Sequence, residues 1–156
     1  LINEFKNFSL IHKNYSLIIL GDGEQENELK KIIKDYKIED KVYLPGRVSN
    51  VYDYMRKANV FVLSSLWEEL GFVLVEAAFN NLFIISSDCP NGPKDFIDVN
   101  KCGILFKNNE TNSLLAALKE FDKIDESSKK ERKVNAKKKS KIYSKFNHHK
   151  KLLKIL

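Results

Sequence analysis

Ser65-Leu66-Trp67-Glu68-Glu69-Leu70-Gly71-Phe72-Val73-Leu74-Val75-Glu76 follows directly on Val60-Phe61-Val62-Leu63-Ser64, so a short apolar run gives way to a turn and then to a longer apolar run. The first run has the length and composition of a buried strand and the second those of a helix, which puts the turn at the C-terminal edge of a parallel sheet. In open α/β sheets that edge is where ligands bind. Two carboxylates stand eight positions apart, Glu68 in the turn and Glu76 within the helix. Glu76 lies among Leu70, Phe72, Val73, Leu74, Val75, Ala77, Ala78 and Phe79, a setting that predicts burial on most sides. A buried ionised carboxylate is costly unless it is hydrogen-bonded. A ligand offering hydroxyl donors would supply such a bond.

The same alternation extends in both directions. Upstream, Tyr15-Ser16-Leu17-Ile18-Ile19-Leu20 is an apolar run closed by Gly21-Asp22-Gly23, and residues 24 to 36 carry Leu29, Ile32 and Ile33 at helical spacing. Lys41-Val42-Tyr43-Leu44 reads as the next strand. Pro45, with no N–H to donate, is expected to end its ladder, and Gly46 to allow a bend or a close ligand approach. A short helix is expected over 50 to 57. Downstream, the helix after Gly71 runs to Asn80-Asn81, and Leu82-Phe83-Ile84-Ile85-Ser86-Ser87 is a buried strand. Asp88-Cys89-Pro90-Asn91-Gly92-Pro93-Lys94-Asp95 then turns into a helix with proline at its first position. Gly103-Ile104-Leu105-Phe106 is a last strand, and residues 111 to 121 form an amphipathic helix with Leu114, Leu115, Leu118 and Phe121. Five alternations of strand and helix mark an α/β fold with a doubly wound parallel sheet.

Length and composition narrow the function. At 156 residues the chain holds one domain with a real core. It has no initiator methionine, and Leu1-Ile2-Asn3-Glu4-Phe5 reads as part of an amphipathic helix. The chain is therefore expected to be a fragment, with the first strand of its sheet upstream. Cys89 and Cys102 lack metal-binding spacing and read as free thiols, and His12, His148 and His149 form no ligand pattern, so no metal is expected. The net charge of +6 is unevenly spread. Residues 129 to 154 hold twelve lysines and arginines against one acid, Glu131, whereas the rest carries fifteen basic and twenty acidic residues. An acidic body argues against a nucleic-acid-binding core. The basic tail reads equally as a solvated helix, in a chain rich in Lys, Asn and Ile throughout, or as a contact for an anionic membrane surface. The strand-Gly21-x-Gly23 turn invites a dinucleotide fingerprint, but position 26 is Glu and Asp22 and Glu24 would repel a pyrophosphate.

Ser65, Glu68, Gly71 and Glu76, in this order and spacing after a strand, resemble the Ser-x-x-Glu-Gly-Phe-Gly motif, followed by four apolar residues and Glu, of the group 1 (family 4) retaining glycosyltransferases of the GT-B fold. This chain has Glu69 and Leu70 where Gly-Phe is usual. The strand-Gly-x-Gly turn, the Val42-to-Gly46 segment and Gly92-Pro93-Lys94 occur in family order, the last resembling a Gly-Pro-Lys-Glu loop of transferases that build bacterial surface glycans. The resemblance covers about residues 1 to 122 and implies a Rossmann-like nucleotide-sugar-binding domain over 1–125; the lysine-rich residues after it read as a basic helical tail over 126–156. It implies that Glu68, the candidate catalytic residue, contacts hydroxyls of the donor sugar and Glu76 those of the ribose. The N–H groups of Gly71, Phe72 and Val73 would receive the diphosphate, as helix N-termini receive anions generally. Gly46, Arg47 and Val48 would flank the uracil or guanine; for Arg47 an ordinary surface ion pair is an equal alternative. Asn91, Gly92 and Lys94 are candidates for a donor loop.

The function so implied is the donor-binding half of an enzyme moving a hexosyl group from a UDP- or GDP-sugar to a glycan or lipid-linked acceptor, as in bacterial surface polysaccharide or lipopolysaccharide synthesis. No metal cofactor is implied, the acceptor would be met through a further N-terminal domain, and the setting would be cytoplasmic, at or near the inner face of the membrane. The isolated fragment is expected to show no turnover. Two other readings stay open: a GT-B epimerase of UDP-sugars, and a non-catalytic module whose basic tail docks on a membrane or another partner.

Overall fold

A computed structural model describes residues 1–69, 71–98 and 101–143. The chain forms two compact units, Leu1–Val51 and a second that opens at Tyr52. All pairing among the described strands is parallel, and it falls into two sheets, one per unit.

In the first unit, α1 (Ile2–Ser9) buries Ile2, Phe5 and Phe8 at helical spacing. The Phe8 ring stacks on His12 at 4.3 Å and meets Tyr15 at 5.2 Å. Strand β1 (Leu17–Leu20) pairs with β2 (Val42–Gly46), and α2 (Glu26–Asp35) connects them. Pro45 does not end the ladder. Ile18 faces Tyr43 and Leu20 faces Gly46, so β2 carries one residue more than β1 over the same span, and Pro45 falls in that irregularity, where its missing N–H breaks no regular bond.

The second unit is built on β4 (Phe83–Ser87), all five residues of which are buried. It lies between β3 (Val60–Leu63) and β5 (Ile104–Phe106), with Val60 to Leu63 facing Phe83 to Ser86, and Ile85 to Ser87 facing Ile104 to Phe106. A central parallel strand is covered on both faces, which is why its sequence is a continuous apolar run rather than an alternating one. Around it α3 (Val51–Lys57), α4 (Phe72–Phe79), α5 (Pro93–Ile97), α6 (Ser113–Lys123) and α7 (Glu126–Ser140) follow in chain order. Helix α6 buries Leu114, Ala117, Leu118 and Phe121, the last meeting Phe83 with ring centroids 4.9 Å apart. Gly103 precedes β5 where a Cβ would stand 2.3 Å from the Ile84 carbonyl oxygen, so no larger residue fits without backbone movement.

Helix α7 carries the first part of the basic tail and is docked on this unit. It packs against α4, α5 and β4 and buries Ala136 and Ser140. Several of its cations are committed to local contacts. Lys129 lies over the Phe121 ring at 4.7 Å, Arg132 donates to the Gly103 carbonyl at 3.4 Å, and Lys139 donates to that of Asp95. Asp125 caps the helix, accepting from the Ser127 hydroxyl and from the Ser128 N–H and hydroxyl, and these bonds hold its carboxyl well below the usual carboxylate range. The part of the expected tail after Tyr143 lies outside the described residues. No described helix is long and apolar enough to cross a membrane.

Candidate functional site

Strand β3 leaves the sheet at Leu63, beside Ser86, and the turn that follows carries Glu68. Three bonds fix this turn. Inside it, the Ser65 hydroxyl donates to Glu68 Oε1 at 2.5 Å. From outside, the Ser87 hydroxyl at the end of β4 donates to the Ser65 carbonyl at 2.6 Å, and the Asn108 side-chain amide, just past β5, donates to the Leu66 carbonyl at 3.0 Å. Asn108 is itself held, since its backbone N–H donates to Asp88 Oδ1 at 2.7 Å. The two bonds to backbone carbonyls contribute about 0.5–1.5 kcal/mol each, enough with the bond to the Glu68 carboxylate to select one geometry for a short turn. Glu68 is half-buried, whereas Leu66 and Trp67 beside it are 69% and 64% exposed.

The turn delivers the chain to α4 through Gly71, whose φ of 60° and ψ of 43° lie in the left-handed region that glycine enters without penalty. Among the described residues no side chain caps α4, so none of them takes up its first-turn amides as a cap. The N–H groups of Phe72 and Val73 precede the first intrahelical bond, which Leu74 makes to the Gly71 carbonyl at 2.8 Å. Such amides, with the positive end of the helix dipole, favour an anion.

Glu76 departs from expectation. It is half-buried, and its Oε1 lies 3.4 Å from the Tyr52 hydroxyl, a long hydrogen bond. The reason is that α4 buries only Leu74, Ala77 and Ala78, while Phe72 and Phe79 are 58% and 62% exposed. An apolar sequence on all sides therefore does not mean burial on all sides. The carboxylate sits on the edge of the covered face with a phenol as its neighbour.

The Asn91–Lys94 segment connects to the same network. Asn91 (φ 62°) and Gly92 (φ 102°) make the tight entry to α5, with Pro93 its first residue as expected. Lys94 Nζ stands 3.9 Å from Asp88 Oδ2, and the other oxygen of Asp88 holds Asn108. Thus the exits of β3, β4 and β5 are tied together by side chains at one end of one sheet. Sequence reasoning named Glu68, Glu76 and the Asn91–Lys94 segment but missed Tyr52, Ser87, Asp88 and Asn108. The one available signal was the pair of hydroxyls, Ser86-Ser87, at the end of an otherwise apolar strand.

Gly46, Arg47 and Val48 belong to the first unit. The Gly46 carbonyl accepts from the Gly21 N–H at 2.9 Å, Val48 is half-buried, and Arg47 Nε stands 3.7 Å from Asp22 Oδ1 with both side chains largely exposed. A hollow of about 250 Å³ at the exit of β1 is lined by Asp22, Glu24 and Glu26 among others, a charge set hostile to a phosphate. Both cysteines are buried and free.

The geometry can be set beside known proteins. The model of the family described as Glycosyl transferases group 1 matches residues 1–141. An uncharacterised glycosyltransferase of Methanocaldococcus jannaschii is 41% identical over 97 residues, 62% of this chain and 24% of its own length. The N-acetylgalactosamine-N,N'-diacetylbacillosaminyl-diphospho-undecaprenol 4-alpha-N-acetylgalactosaminyltransferase of Campylobacter jejuni is 30% identical over 146 residues, 87% of this chain and 40% of its own. The chain therefore spans less than half the length of these relatives. Among solved structures, TarM of S. aureus superposes with a TM-score of 0.87 at 23% identity, over 98% of this chain and 31% of TarM, which shows a common fold; a variant of it has been crystallised with UDP. The chain belongs to the group 1 glycosyl transferases, and its parallel α/β architecture is that of the GT-B C-terminal domain.

Proposed function

We propose that the protein containing this chain transfers a hexosyl group, with retention of anomeric configuration as in family 4, from a UDP- or GDP-sugar to a glycan or lipid-linked acceptor. The observation that carries the reading is the fixed Glu68 turn leading straight into a helix start without a side-chain cap, so that a carboxylate for sugar hydroxyls and amides for a diphosphate lie a few residues apart. In this reading Glu68 orients the donor sugar, the amides of Gly71, Phe72 and Val73 take the charge that develops on the departing diphosphate, and Glu76 binds the ribose hydroxyls. Prearranged donors stabilise a developing anion at no further reorganisation cost. Gly46, Arg47 and Val48 flank the base, Asn91, Gly92 and Lys94 form the donor loop, and no metal takes part. A further domain supplies the acceptor site, so the isolated chain binds donor weakly and does not turn over.

Bacterial surface-glycan or lipid-linked oligosaccharide synthesis is the favoured setting, on the cytoplasmic side of the membrane. The named activity of the Campylobacter relative, which acts on a diphospho-undecaprenol-linked acceptor, supports that choice. Calorimetric titration of UDP, GDP and their sugars against the complete protein tests the proposal. Glu76→Ala should weaken binding by about 1.5–3 kcal/mol, the range for a hydrogen bond to a charged group. Unchanged affinity would remove Glu76 from the site, and absence of any nucleotide binding would remove the reading. Chelation should leave transfer unaffected, and NMR of the product should show the anomeric configuration of the donor.

A further inference from the structure

Ser87 and Asn108 donate into the Glu68 turn from the ends of two other strands, at a point where ordinary turn chemistry would suffice. Carbonyls in a turn are satisfied by backbone amides, side chains or water. Here the Ser65 and Leu66 carbonyls, consecutive in sequence, are each taken by a side chain, from 22 and 42 residues away. The Ser87 hydroxyl belongs to a side chain that is 0% exposed, so its direction is set by packing rather than by solvent. Asn108 is anchored through its own N–H to Asp88. Ser65, whose carbonyl Ser87 holds, is the residue whose hydroxyl is bonded to Glu68. The chain of contacts therefore runs from the buried sheet to the carboxylate without a break.

We propose that Ser87 and Asn108 are positioning residues for Glu68: they clamp the turn from β4 and β5, and so fix the carboxylate at the distance and angle that the donor sugar requires. The inference rests on the reading of Glu68 given above. Among the described residues neither side chain is hydrogen-bonded to the α4 amides or to Glu76, so the clamp governs the sugar end of the site and leaves the nucleotide end alone. This separates it from a merely structural role, which would weaken both ends together.

The test uses the complete protein with UDP-sugar and GDP-sugar donors, and compares Ser87→Ala, Ser87→Cys and Asn108→Ala with Asn135→Ala. Asn135 makes the same kind of bond, its amide donating to the Lys101 carbonyl at 3.3 Å, far along α7. Ser87→Cys keeps the buried shape while replacing a strong donor by a weak one, so it remains informative if Ser87→Ala fails to fold. The expected result is a fall in kcat on the order of ten- to a hundredfold for Ser87→Ala and Asn108→Ala, the scale for a catalytic group misplaced by a fraction of an ångström to an ångström. Ser87→Cys should fall between these and wild type. Affinity for UDP or GDP without the sugar should stay within about twofold, as should kcat for Asn135→Ala. Wild-type kcat in Asn108→Ala and Ser87→Cys would overturn the inference, as would a parallel loss of nucleotide affinity and kcat. If instead the wild-type protein binds no nucleotide, the proposed function fails, and that outcome is distinct from either.

Discussion

Ile18 in β1 and Ile85 in β4 are the same residue type in parallel strands of the same chain, yet one is 48% exposed and the other 0%. The sequences around them look equally apolar. What differs is the number of neighbours: β1 is paired with β2 in a two-stranded sheet, whereas β4 is flanked by β3 and β5 and covered by helices. The contrast extends to the candidate site residues. In the second unit Glu68 is reached by a hydrogen-bond chain from the buried sheet, and in the first Arg47 has an exposed ion pair. Precision in a functional side chain thus follows the packing of the element behind it, because a rotamer is fixed only where its surroundings are.

The largest test of this contrast is truncation of the two isoleucines. Ile85→Ala should cost about 2–5 kcal/mol, the range for emptying a well-packed site. Ile18→Ala should cost under about 1 kcal/mol, as at other surface positions. Urea unfolding of the complete protein measures both, and equal costs would erase the distinction between the units. Next come two glycines. Gly103→Ala drives a Cβ against the Ile84 carbonyl oxygen and should cost about 3 kcal/mol. Gly46→Ala meets nothing within 4 Å and has only its φ of 74° to oppose it, about 1 kcal/mol. Arg47→Ala should change stability by less than about 1 kcal/mol, and less still in high salt, because both partners in its pair with Asp22 are exposed. A larger loss would mean that Arg47 is held more firmly than its geometry implies.

The smallest effect concerns acid. The Asp125 carboxyl is held below its ordinary value by the Ser127 and Ser128 bonds, so the folded state favours its ionised form. Its contribution is fully present above about pH 4, where the unfolded chain would also be ionised, and is lost as pH falls below that. Thermal melts of wild type and Asp125→Asn should therefore differ at neutral pH and converge in acid. A difference as large at pH 2 as at neutral pH would mean that the cap acts by shape rather than charge.

Much of this was legible from residue order. The five strand-helix alternations, the buried run at 82–87, proline at the start of α5, and Leu114, Leu118 and Phe121 on one face of α6 all follow from periodicity and turn chemistry. Errors arose where a local rule met a distant constraint. Pro45 stays in its strand because the facing strand is one residue short there. Glu76 is only half-buried because Phe72 and Phe79, on the same side of α4, are themselves largely exposed. Sequence gave no measure of how far α7 is engaged, since Lys129, Arg132 and Lys139 find their partners only through packing.

By itself the sequence determined the class of fold and the place of the Glu68–Glu76 segment at a strand exit, because strand and helix periods are properties of neighbouring residues. Tertiary structure alone decided which apolar faces are covered and which side chains hold the Glu68 turn. Ser87 and Asn108 reach it from 22 and 42 residues away, and bonds over such separations exist only once β3, β4 and β5 lie side by side.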